Sequence, residues 1–196
     1  MTALVSALGL DAMQKFFEQL PDVAEASAVL AINQVADRDG LNLIKSTMRS
    51  QVNFPVGYLE DGRLAVKSRA NRSNLQAVIS GRDRPTSLAR FAAGQDESNT
   101  RGRGVRVTIK GGRTVTLKKA FIINLKNGNR GVAIRLPEGQ APSSSQGAKR
   151  IGRGMWLLYG PSVDQVFAGV ADQVLPDLGQ MLSNQFLRQF ARLTRG

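Results

Sequence analysis

Residues 120–136 read AFIINLKNGNRGVAIRL. Apolar side chains alternate with other residues on both sides of Asn127-Gly128. Alternation with a period of two is typical of a β-strand. Asn-Gly is among the strongest turn dipeptides, because both residues tolerate a positive φ. The stretch therefore predicts an antiparallel β-hairpin.

A second hairpin is predicted immediately before the first. Residues 105–109 alternate in the same way, Lys110-Gly111-Gly112-Arg113 supplies a turn, and residues 115–117 alternate after it. Weaker strand patterns lie at Arg63–Lys67, Leu75–Ser80 and Met155–Tyr159. Together these segments predict an antiparallel sheet.

Helical spacing dominates both ends of the chain. A short apolar stripe from Leu4 to Leu20 predicts one helix, and a second is expected from Asp22 to Arg49, with a bend near Asp39-Gly40. An amphipathic helix is predicted from Val163 to Leu193, and Pro176 should kink or split it. We thus expect an α+β fold that forms a single domain over residues 1–196.

Two stretches are poor in residues that a core could bury. These are 92–104 (AAGQDESNTRGRG) and 137–154 (PEGQAPSSSQGAKRIGRG), both rich in Gly, Ser, Gln and Arg. We predict mobile loops there, the second ordered only on assembly with a partner.

The composition excludes many enzyme classes. The chain has no Cys and no His, which removes thiolate nucleophiles, zinc sites built on Cys or His, and the usual general base near neutral pH. The nearest carboxylate pair, Asp96-Glu97, lies in a predicted loop, which is a poor place to fix a metal or a base. A carboxylate-based hydrolase stays a distant alternative. We predict a protein that is not an enzyme and holds no metal or cofactor.

The net charge of +12 is concentrated in the middle of the chain. Residues 101–153 carry thirteen Lys and Arg against one acid, Glu138. Such an excess suggests a polyanionic partner, either nucleic acid or an acidic protein surface, while a solubilising loop is the plain alternative. The candidate contact residues flank this region: Arg101, Arg103, Arg106, Lys149, Arg150 and Arg153.

Base-specific recognition has little support in the sequence. Zinc-finger, homeodomain and basic-zipper spacings are absent, and the basic cluster lacks the interleaved aromatic residues of a stacking platform. We expect the Phe, Tyr and Trp side chains to pack in the core instead.

Four segments, in this order, resemble the minor tail protein Z family of lambda-like phages. They are Ala31–Ala36 (AINQVA), Pro85–Phe91 (PTSLARF), Ala120–Gly128 (AFIINLKNG) with Arg135 beyond it, and Leu158–Val163 (LYGPSV). The resemblance runs from about residue 25 to the end of the chain, whereas the first predicted helix, residues 4–20, has no counterpart in it.

This resemblance implies a structural component of the virion, made in the host cytoplasm. Such a protein lies at the head-proximal end of the tail or neck, completes the tail and enables head–tail joining. The implied partners are other tail or neck proteins, further copies of this chain in a ring (a hexamer is favoured) and, without sequence specificity, the end of the packaged DNA. No membrane contact is expected, because no apolar run is long enough to span a bilayer.

The alternative function is that of a free, sequence-independent nucleic-acid-binding protein. It rests on the same basic residues, and it predicts binding that weakens steeply as the salt concentration rises.

Overall fold

The computed structural model describes residues 3–5, 20–92, 94, 95, 102–143 and 147–195, with the backbone alone for residues 3–5. The predicted α+β class is confirmed. Where the sequence predicts one domain, the chain divides into two compact units. The helical unit comprises residues 1–48, 60–82 and 164–196, and the sheet unit comprises residues 49–59 and 83–163.

A three-stranded antiparallel sheet belongs to the helical unit. It contains β1 (Ala3–Val5), β2 (Leu64–Ser68) and β3 (Ala77–Gly81) in the order β1-β3-β2. The helix predicted from Leu4 is wrong at its first residues, because Leu4 pairs with Val78 in the sheet. Pairing with a distant strand satisfies these backbone groups, and local helical spacing cannot anticipate that. The remainder of the predicted helix, residues 6–19, lies outside the described residues.

The long helix expected after Pro21 is two helices. They are α1 (Pro21–Asp37) and α2 (Asp39–Gln51), separated at Arg38, next to the predicted bend. Pro21 occupies the start of α1 and Asp22 its first turn, where a fixed φ and a negative charge both favour a helix. The buried face of α1 is made of small and branched residues, among them Ala28, Ala31 and Ile32.

Side-chain hydrogen bonds tie α1 to the segment that follows β2. The Asn33 amide accepts from the backbone N–H of Ala70 at 2.8 Å and donates to the Ala70 carbonyl at 2.9 Å. Arg69 donates twice to the Asp37 carboxylate, at 2.9 and 3.1 Å, and this hydrogen bond raises the pKa of the Arg69 guanidinium. Lys45 of α2 pairs with Glu60.

The last helix, α3 (Val163–Thr194), is a single helix that passes through Pro176. Of the two effects predicted for Pro176, the split is wrong, and the kink stays a prediction. Proline has no N–H, so the Asp172 carbonyl lacks its usual helical donor. Because Pro176 and Asp172 are both exposed, water can hydrate that carbonyl instead. The buried stripe of α3 is apolar, as predicted: Val170, Val174, Leu178, Leu182 and Phe186.

Two antiparallel sheets build the sheet unit. One is the pair β5 (Val105–Lys110) and β6 (Arg113–Leu117). The other contains β4 (Thr86–Ser87), β7 (Ala120–Asn124), β8 (Arg130–Arg135), β9 (Ala148–Gly152) and β10 (Met155–Gly160). Both predicted hairpins are confirmed, and so are the strands expected near residues 63–67, 75–80 and 155–159. A short 3₁₀ helix, Leu88–Phe91, follows β4, and the sequence predicted neither element.

The second predicted loop, 137–154, contains a strand. β9 pairs with β10 from Ala148 to Gly152, and Met155 to Leu158 of β10 pair with β8 as well. Because the same residues of β10 have both partners, β8 and β9 flank β10 on opposite sides. β9 therefore lies at the edge of the sheet. The strand order is β4-β10-β8-β7, and β9 pairs with β10 on the side opposite β8.

Aromatic residues pack inside the sheet unit. The Phe54 ring lies 5.5 Å from that of Tyr58 and 6.0 Å from that of Phe91, and all three side chains are buried. Tyr58 also reaches the buried Thr86 hydroxyl, at 3.2 Å. The expected core role is confirmed for these three rings. In the part of the chain that the structure describes, no helix is both long and apolar enough to cross a membrane.

Candidate nucleic-acid interface

The net positive charge of the chain belongs entirely to one unit. The sheet unit carries sixteen Lys and Arg against four Asp and Glu, a net charge of +12. The helical unit carries eleven of each and is neutral. Residues 101–153 alone carry this surplus, and the other parts of the sheet unit, 49–59, 83–100 and 154–163, add no net charge.

Five of the six predicted contact residues are described, and all five are exposed. Arg103 and Arg106 lie at the start of the β5–β6 pair, whereas Lys149 and Arg150 lie in β9 and Arg153 in the turn after it. Arg101 lies outside the described residues. The structure thus divides these residues between two different sheets rather than gathering them at one point.

The β9 group has a simple structural explanation. Exposed sheet edges need protection against pairing with other chains, and charged side chains such as Lys149 and Arg150 provide it. Arg153 donates to the Glu138 carboxylate at 2.7 Å, although both side chains are largely exposed. That contact offsets part of the local positive charge, so β9 is the weaker of the two groups as an anion-binding surface.

Gln95 organises the other group, and sequence reasoning missed it. Its buried side chain accepts from the Arg106 backbone N–H at 2.8 Å and donates to the Arg106 carbonyl at 2.5 Å, as a neighbouring strand would. Arg130 donates from its guanidinium to the Gln95 carbonyl at 2.8 Å. Arg130 is exposed and joins this group as a further basic residue that was not predicted.

We call residues 102–119, which contain β5, β6 and their flanking turns, the basic ribbon. The ribbon has no acidic residue. Its basic residues are exposed: Arg103, Arg106, Lys110, Arg113, Lys118 and Lys119. Among the described residues, no carboxylate comes within ion-pair distance of any of them.

The two strands of the ribbon differ in their surroundings. On β5, Val105 and Val107 are buried, and its backbone is held by Gln95 and by Asn53, whose N–H donates to the Ile109 carbonyl at 2.7 Å. On β6, four of the five residues are exposed. β5 therefore fixes the ribbon in the unit, while β6 presents its side chains to solvent.

Gly104 closes the base of the ribbon. Its φ is +82°, and a Cβ there would lie 2.6 Å from the Leu117 carbonyl oxygen and 2.8 Å from the Lys118 Cα. Only glycine fits this approach without strain. The close contact brings Arg103 and Lys118 to the same end of the ribbon.

Within the described ranges, no group of three potential ligands is placed to hold a metal ion. Asp96 and Glu97, the nearest predicted carboxylate pair, lie outside those ranges.

Comparison of the chain with protein-family models, with curated proteins and with solved structures finds no match.

Proposed function

We propose that this protein is a structural component of a phage virion. It lies at the head-proximal end of the tail or neck, completes the tail, enables head–tail joining and contacts the end of the packaged DNA. The four ordered segments that resemble the minor tail protein Z family motivate this role. The observation that carries the DNA contact is the confinement of the whole net charge of +12 to the sheet unit.

The division of charge suits a protein with two kinds of neighbour. A net charge of +12 on one unit attracts phosphates over a distance of about a Debye length, near 8 Å at physiological salt. The neutral helical unit exerts no comparable attraction on phosphates, and we propose that it contacts protein. We propose that the copies form a closed ring, with six as the favoured number, because closed rotational symmetry lets one surface serve every copy.

Electron microscopy of particles assembled without the gene tests the proposal. We expect intact heads beside unjoined or defective tails, together with loss of infectivity. Supplying the gene separately should restore both head–tail joining and infectivity. Normal, infectious virions would contradict the proposal.

The second candidate is a free, sequence-independent nucleic-acid-binding protein, which the same charge division favours. It is distinguished by location. A virion protein is recovered from purified particles in stoichiometric amounts, whereas a free binder remains with unpackaged nucleic acid in the lysate. Absence of the protein from purified virions would favour this second candidate.

A further inference from the structure

We propose that the basic ribbon, residues 102–119, is the surface that binds double-stranded DNA, through backbone phosphates and without reading base sequence. This inference rests on the DNA contact in the proposed function, and it assigns that contact to one element.

The shape of the ribbon fits a duplex. Its six-residue strand β5 spans about 20 Å, at about 3.4 Å per residue. A two-stranded ribbon is narrow enough to lie along the major groove, which is about 12 Å wide, with its flanks close to the phosphates. Positive charge is present at both ends: Arg103 and Lys118 at the base, Lys110 and Arg113 at the tip.

The chemistry of the exposed face favours DNA over an acidic protein. Thr108 and Thr114 lie side by side there, with their hydroxyls 2.8 Å apart, and Arg106 pairs with Thr116 in the register. Hydroxyl and guanidinium groups are typical phosphate ligands. Protein interfaces usually bury an apolar centre, but the ribbon exposes one large apolar side chain, Val115, on its other face.

Within the described residues, the unopposed positive charge of the ribbon makes it a better candidate than β9. Gln95 and Asn53 hold β5 in place, so less conformational entropy is lost when DNA binds. The β9 group has the opposing carboxylate of Glu138 beside Arg153.

The test compares variants of the full chain, two of them matched in charge, in their binding to a short mixed-sequence DNA duplex. The ribbon variant carries Arg106→Gln, Lys110→Gln, Arg113→Gln and Lys118→Gln. The control carries Arg72→Gln, Arg188→Gln, Arg192→Gln and Arg195→Gln, all exposed and all in the helical unit. Each variant lowers the net charge from +12 to +8. A third variant, Lys149→Gln with Arg150→Gln, tests β9.

We expect the ribbon variant to bind at least about tenfold more weakly at low salt. The slope of log K against log salt should fall by about 3 to 4, at about 0.9 per lost phosphate contact. At about 0.15 M salt the helical-unit control and the β9 variant should stay within about threefold of the unsubstituted chain, because charges farther from the DNA than about 8 Å are largely screened there. A variant with Arg106→Lys and Arg113→Lys should keep the binding, since phosphate contact needs charge rather than a guanidinium fork.

Four outcomes would overturn the proposal. They are unchanged binding in the ribbon variant, equal losses in the ribbon variant and the control, a loss confined to the β9 variant, and no binding by the unsubstituted chain even at low salt. The last would direct attention to an acidic protein partner. Circular dichroism of each variant checks that the fold is retained. If the four Gln substitutions unfold the chain, Arg113→Gln with Lys118→Gln is compared with Arg188→Gln with Arg192→Gln, all at exposed residues. Defective particles without the gene, combined with unchanged DNA binding in the ribbon variant, would leave the virion role standing and refute the ribbon alone.

Discussion

Gln95 acts as a one-residue strand on the edge of β5. Its amide makes both backbone hydrogen bonds of Arg106, and its own carbonyl receives Arg130. We predict that Gln95→Ala lowers the free energy of unfolding by about 1 to 2 kcal/mol, since two hydrogen bonds are lost at a partly buried site. Urea unfolding measures this, and hydrogen exchange at the Arg106 amide should accelerate. Gln140→Ala, at an exposed residue of the same unit, should change neither. Equal effects of the two substitutions would mean that the contacts of Gln95 contribute nothing.

Gly40 lies where α2 packs closely on α3. A Cβ at this position would lie 2.7 Å from the Val35 carbonyl oxygen and 2.8 Å from a Leu178 methyl group. The backbone oxygen cannot move aside easily, so we expect Gly40→Ala to destabilise the protein by about 1 to 3 kcal/mol.

Gly169 of α3 is the matched control, because nothing lies within 4 Å of its added Cβ. Gly169→Ala should stabilise the protein by about 0.5 to 1 kcal/mol through helix propensity. Chemical denaturation of both variants gives the comparison. Stabilisation by Gly40→Ala would show that α2 and α3 do not approach so closely.

Single residues also mark the limit of prediction from the sequence. Charge alone identified Arg103 and Arg106 as exposed basic residues. Nothing local distinguishes Gln95 from other glutamines, because its partners are eleven and thirty-five residues away along the chain. The exposure of Arg130 could have been predicted, since it is a basic residue directly after the Asn127–Asn129 turn.

At the scale of elements, Pro176 lies within a continuous α3 on its solvent side. The ring removes the hydrogen bond to the Asp172 carbonyl without breaking the helix. We predict that Pro176→Ala raises the free energy of unfolding by about 1 to 3 kcal/mol, because the substitution restores that bond and improves helix propensity. Thermal and urea unfolding check the value. A loss of stability would mean that the proline sets a bend which the packing of α3 requires.

Elements were predictable where their signal is local. The two hairpins carry alternating side chains and turn dipeptides within a few residues, and both formed where expected. β9 was missed because its sequence, AKRIG, has no apolar alternation and its order comes from pairing with β10. β1 was missed for the same reason, since its partner β3 lies more than seventy residues away.

At the scale of the whole molecule, the charge division should affect stability as well as binding. Like charges on the sheet unit repel one another in the folded state, whereas the neutral helical unit contains attractive pairs such as Arg69–Asp37. Raising NaCl from about 0.01 M to about 0.15 M shortens the Debye length from about 30 Å to about 8 Å. Salt should therefore stabilise the sheet unit and leave the helical unit unchanged or slightly weaker.

Hydrogen exchange resolves the two units in one experiment. We predict that salt slows hydrogen exchange of the β7 and β8 amides more than that of the α1 amides. The difference corresponds to a rise in the opening free energy of β7 and β8 on the order of 1 kcal/mol. The ribbon variant with four Gln substitutions should show a smaller response, because part of the repulsion is already removed. The helical-unit control variant, with the same net charge of +8, should respond like the unsubstituted chain. A response that is equal in both units, or reversed in the sheet unit, would mean that the excess charge is too widely spaced to strain the fold and matters for binding alone.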